Sequence, residues 1–120
     1  MINTEYIKNL NSLSLIELIK IDNEIENYIS WNSLDEVFKS KLEFIGEIKI
    51  NNQKEVYEDE NYWRPDATIS LRNYPYFGCK LYKHKSHESY YLIYKEFGGN
   101  IPEERCRLLQ KRLIVNDINI

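Results

Sequence analysis

The chain of 120 residues is 42% hydrophobic and 29% charged, with ten tyrosines and a formal net charge of −3; that length suits one domain, and that composition excludes an intrinsically disordered chain. Nothing approaches the ~18 consecutive apolar residues of a membrane-spanning helix, and the negative balance argues against general nucleic-acid binding. The opening Met1-Ile2-Asn3-Thr4-Glu5 lacks a basic stretch followed by an apolar one, and Cys79 and Cys106 are too few for a disulfide framework, so a soluble cytoplasmic protein with reduced thiols is expected.

The first third reads as helix. A short helix is expected over residues 4–10. Ser14 and Glu17 form a capping box, in which hydroxyl and carboxylate satisfy the free N–H groups of a helix start. Leu15, Leu18, Ile19, Ile25, Tyr28 and Ile29 then follow one stripe at a 3.6-residue period. Trp31-Asn32 would turn the chain. A second box, Ser33 with Glu36, opens a helix with Leu34, Val37, Phe38, Leu42 and Ile45 on its apolar face, stopped by Gly46. Residues 47–50 alternate weakly, Asn51-Asn52 looks like a turn, and residues 55–61 form an acidic loop or short helical turn.

From Asp66 the pattern changes to β. Residues 67–71 alternate with period two, as do residues 79–84. The polar run Lys85-Ser86-His87-Glu88 fits a hairpin tip, and Tyr90-Tyr91-Leu92-Ile93-Tyr94 the return strand. Pro102, followed by Glu103 and Glu104 and then by Arg105, Arg107, Lys111 and Arg112, has the charge order of a short helix. Residues 113–115 could make a last strand. The expected fold is one α+β domain over residues 1–120, with N-terminal helices (about 1–46) packed on a small C-terminal antiparallel sheet (about 66–120). Its core would combine Leu15, Leu18, Ile19, Ile25, Leu34, Phe38, Leu42 and Ile45 with Ile69, Leu71, Leu81, Leu92 and Tyr94.

No phosphate-binding loop, dinucleotide fingerprint, nucleophile elbow or zinc-protease helix is present, so no catalytic residue and no enzyme activity is expected. The sharpest chemical cluster in the sequence is Cys79, His84 and His87, which Cys106 from the next element could complete. Thiolate and imidazole are zinc donors, but Cys-x4-His-x2-His is not a standard finger spacing. No metal and no cofactor is expected.

Charge is distributed unevenly. Fourteen acids face seven bases up to Asp66, and nine bases face five acids beyond it. The acids Glu55, Glu58, Asp59 and Glu60 lie beside Tyr57, Tyr62 and Trp63. Aromatic residues dominate binding energetics at protein interfaces, and surface charge steers encounter. Glu55, Tyr57, Glu58, Asp59, Glu60, Tyr62 and Trp63 are therefore the expected partner-binding set.

Four segments carry a resemblance: Tyr62-Trp63-Arg64-Pro65-Asp66-Ala67, Asn73-Tyr74-Pro75-Tyr76-Phe77-Gly78-Cys79, Tyr94-Lys95-Glu96-Phe97-Gly98-Gly99 and Pro102-Glu103-Glu104-Arg105-Cys106-Arg107. Together they cover less than half of the chain. In style (small, acidic, tyrosine-rich) the chain resembles the immunity proteins that bacteria encode beside polymorphic toxins, including those of contact-dependent growth inhibition. The resemblance implies a cytoplasmic, non-catalytic protein that binds one cognate toxin domain and blocks it, with no nucleic-acid or membrane partner; it carries no residue roles. An acidic binder would suit a nuclease toxin, whose substrate groove is basic. The alternative is another cytosolic inhibitor or binding module, such as a phage-encoded inhibitor or a small metal-binding regulator.

Overall fold

The computed structural model describes residues 2–49, 63–71, 75–76, 78–97 and 101–114. Helix α1 (Thr4–Lys8) starts at Asn3, whose side chain accepts the Tyr6 N–H. Helix α2 (Leu15–Ile21) starts at the expected capping box, with both Ser14–Glu17 hydrogen bonds formed. It stops earlier than its apolar stripe suggests. Asp22 leaves the helix in an extended conformation and caps a 3-10 helix, Asn23–Tyr28, by accepting the Glu24 N–H. Ile25 and Tyr28 still reach the core from that tighter turn.

The second expected helix is corrected more strongly. Strand β1 (Asn32–Ser33) is followed by α3 (Glu36–Ser40), which is capped by Asp35 rather than Ser33. Leu42–Glu47 is strand β2, paired antiparallel with β3 (Lys80–His84). The spacing of Leu42 and Ile45 suggests a helix face, but pairing with β3 outweighs that weak periodicity. Gly46 is no helix stop. A Cβ there would sit 2.9 Å from Ile2 Cδ1, so glycine admits the N-terminal segment, which bridges Ile48 in parallel.

The predicted hairpin forms, with β3 and β4 (Tyr90–Glu96) joined through residues 85–89, one residue more than the polar tip expected. Glu103–Leu108 is strand β5, not a helix, and pairs with β4 along its whole length. Residues 67–71 do bury Ala67, Ile69 and Leu71 alternately, but only Ile69 pairs, in a bridge to Ile114. Residues 111–113 form a 3-10 turn in place of the start of a last strand.

All five strands make one antiparallel sheet in the order β1-β5-β4-β3-β2. Both faces of the sheet are covered. On one face Tyr90, Leu92 and Leu81 pack with Ile7, Trp31, Ile69, Leu71 and Tyr76. On the other, Tyr91, Ile93, Cys106 and Leu108 pack under Leu18, Ile25, Tyr28 and Phe38. A strand buried on both sides needs a continuous apolar run rather than alternation, which is why Tyr90-Tyr91-Leu92-Ile93 reads as it does. The fold is thus α+β, but its helices and strands are interleaved: β1 and β2 come from the part expected to be helical. Of the expected core, Leu15, Ile19, Leu34, Ile45 and Tyr94 are only partly buried. Trp31, read as a turn residue, is buried.

Candidate functional site

Of the expected partner-binding set, Glu55, Tyr57, Glu58, Asp59, Glu60 and Tyr62 lie outside the described residues. Trp63 lies within them. It is half-buried against the first core face, and the Arg105 guanidinium stacks 4.9 Å from its ring centre. Arg105 also pairs with Glu103 at 2.8 Å. A guanidinium over an indole face is favourable through the ring quadrupole. The pair ties Trp63 to β5.

Close by, Arg107 is fully buried on β5. Its Nη1 donates to the Tyr76 hydroxyl at 2.5 Å, and its Nη2 donates to the carbonyls of Ala67 at 2.7 Å and Pro65 at 3.3 Å. Among the described residues no carboxylate pairs with it. Carbonyl and phenol oxygens meet the charge instead and tie residues 65–67 and Tyr76 to the sheet. Burial pushes the Tyr76 phenol up, against the pull of Arg107, so it stays neutral.

The cysteines are separated by the sheet. Cys79 belongs to the core on one face and Cys106 to the core on the other. The Cys79 thiol donates to the Pro75 carbonyl at 2.8 Å. Burial pushes both thiols well up, and neutral thiols are poor nucleophiles and poor ligands. The Cys79–His84–His87–Cys106 set is not brought together as one site.

The two histidines, however, do meet. His84 ends β3 and His87 lies in the tip, so the turn folds one ring over the other, with centres 3.7 Å apart and planes 17° from parallel. Asp22, at the junction of α2 and the 3-10 helix, completes the cluster. Its Oδ2 lies 3.9 Å from His84 Nε2 and 3.8 Å from His87 Nε2. Both Nε2 atoms are buried without a hydrogen-bond partner. The far side of each ring is held: His84 Nδ1 accepts the Ser86 N–H at 3.0 Å, and His87 Nδ1 is 2.8 Å from Ser89 Oγ. Ser89 Oγ in turn lies 2.9 Å from the Tyr91 hydroxyl.

Burial is the main force on both imidazoles and holds them below the ordinary histidine value. For His84, His87 and the nearby Lys41 and Lys83 add to that shift, while Asp22 opposes it. Sequence reading found the pair His84 and His87 through their spacing. It missed Asp22, which looked like one more acid on a continuing helix. The signal available was Asp22-Asn23, two residues that favour caps over helix interiors. No family model matches the chain, and neither a characterised protein nor a solved structure matches it.

Proposed function

We propose that this chain is a non-catalytic binding protein that neutralises a cognate toxin domain, acting in the cytoplasm in the manner of the immunity proteins it resembles. The observation that carries the reading is the Trp63–Arg105 stack on the sheet. It anchors a Trp-Arg pair, the residue types that dominate interface energetics, directly after the acidic and aromatic residues Glu55, Tyr57, Glu58, Asp59, Glu60 and Tyr62. Carboxylates there can stand in for the phosphates that a nuclease toxin holds with lysine and arginine, and desolvated Arg–carboxylate pairs are strong.

The test is a triple charge reversal of Glu58, Asp59 and Glu60 to lysine, assayed by binding to the toxin encoded beside the gene and by survival of toxin-exposed cells. The expected result is slower association, weaker salt dependence and lost protection. A reversed protein that folds, binds and protects like the parent removes this surface as the interface. Trp63→Ala should weaken binding through faster dissociation, because a central aromatic contributes buried area rather than steering.

A further inference from the structure

We propose that Asp22, His84 and His87 form a binding site for a divalent transition-metal ion of zinc's class. The three residues come from the α2 junction, the end of β3 and the hairpin tip. Their donor atoms all lie within 4.8 Å of one another. Two buried imidazole nitrogens without partners, facing one carboxylate at 3.8–3.9 Å, are too far from it to hydrogen-bond. They are close to the spacing of donors around one ion. With bonds of about 2.0–2.1 Å, a tetrahedral zinc sets its donors about 3.4 Å apart, so a contraction of about 0.5 Å closes each carboxylate–imidazole side, and the imidazole–imidazole side, which lies within 4.8 Å, closes as the rings reorient. Two imidazoles and one carboxylate select zinc, cobalt, nickel or iron over calcium and magnesium, which prefer all-oxygen sites.

The charges around the site permit a cation. Asp22 supplies a negative group. Lys41 is paired with Glu24 at 3.2 Å and Lys83 with Glu88 at 3.6 Å, which offsets their repulsion. The side chain of Asp22 is about one-fifth exposed. Three protein donors leave a fourth tetrahedral position for water or an incoming ligand, the arrangement that open zinc sites share.

The two rings are prepared differently. Coordination through Nε2 needs the remaining ring proton on Nδ1. His87 meets this condition: its Nδ1 can donate to Ser89 Oγ, which passes its own proton toward Tyr91. His84 Nδ1 instead accepts the Ser86 N–H. Loading therefore breaks that hydrogen bond, and the stacked rings fan apart around the ion. Metal binding thus carries its own signature at the hairpin tip, the release of the Ser86 amide.

The experiment uses the full chain, stripped with a chelator and titrated with cobalt(II) and zinc(II), with magnesium as the control. Expected are about one equivalent of cobalt with the visible absorption of a low-coordinate nitrogen–oxygen site, a melting temperature raised by zinc and restored by chelator, and faster hydrogen exchange at the Ser86 amide. Asp22→Asn keeps the cap on Glu24, because Asn caps as well as Asp, and His87→Gln keeps size and polarity. Each should weaken binding roughly 100-fold or more, beyond what loss of a supporting residue costs. The proposal is overturned by no cobalt absorption and no thermal shift, by unchanged affinity in both variants, or by a thiolate-to-cobalt band that assigns the metal to Cys79 or Cys106. If a variant fails to fold, cobalt absorption and the Ser86 amide of the parent protein still decide.

Discussion

Phe38 illustrates how much one side chain carries. Its ring stacks on Tyr28 at 4.5 Å, meets Tyr91 edge-on at 5.2 Å and approaches His84 at 6.1 Å. It is 1% exposed, so α3 is held to the sheet chiefly by this one ring. Phe38→Ala should cost about 3–5 kcal/mol, from lost transfer energy and the cavity left behind. Chemical denaturation measures this directly, and an unchanged midpoint would disprove the packing of α3. Arg107 carries a different kind of load. Its charge is buried at the cost of desolvation, offset by the hydrogen bonds it donates to the Tyr76 hydroxyl and to the Ala67 and Pro65 carbonyls. The identity of Phe38 as core was legible, because a large apolar residue follows a helix start. The burial of Arg107 was not legible: an arginine between Cys106 and Leu108 reads equally as the exposed face of a helix.

At the scale of elements, the hairpin tip couples proton binding to stability. In the metal-free protein, burial holds His84 and His87 below the ordinary value of 6.5. The unfolded chain therefore takes up protons first as pH falls through about 6.5. Stability is full above that pH and declines as pH falls below it, toward the lower folded-state values. The groups facing the pair are Asp22, which favours protonation, and Lys41 and Lys83, which oppose it at His84. Melting temperatures of the chelator-treated protein from about pH 8 to about pH 5 should fall on the acid side, and His87→Gln should flatten that fall. An equal acid slope in parent and variant would show that other groups govern it. The same hairpin was the clearest element in the sequence, since two alternating runs flank a polar tip. Strands β2 and β5 were not legible. Each is short and carries charge, and Gly46 and Pro102 imitate helix punctuation. Their pairing partners lie up to about 40 residues away for β2, and no local pattern encodes that contact. The place of Asp22 beside the hairpin, unlike its capping role, was illegible for the same reason. Only the fold brings it to the hairpin.

For the whole molecule, the strand order is the informative fact. Strands β3, β4 and β5 form a consecutive meander, and the N-terminal part supplies both outer strands, β1 beside β5 and β2 beside β3. The outer strands are poor templates for further pairing. β1 is two residues long. β2 carries Glu43 and Glu47, breaks register between Phe44 and Gly46, and is partly covered by Ile2. Short length, charge and bulges are ways in which sheets avoid pairing with other chains. A chain cut to residues 66–120 should therefore self-associate at concentrations where the full chain stays monomeric, as read by light scattering. A monomeric fragment of that length would sink the idea.

The same arrangement has a consequence for synthesis. Chains emerge from the ribosome N-terminus first, at about 5–20 residues per second. Here the segments that close both sides of the sheet, Asn32–Ser33 and Leu42–Glu47, are made before any of the strands they protect. When Lys80–His84 and Tyr90–Glu96 appear, Leu42–Glu47 is already waiting, and Glu103–Leu108 meets Asn32–Ser33 on arrival. The apolar run at Tyr90-Tyr91-Leu92-Ile93 emerges beside Lys80–His84, whose far side Leu42–Glu47 already closes, and its own other edge is open only until Glu103–Leu108 arrives. In this protein the order of the gene sets the order in which adhesive surface is shielded.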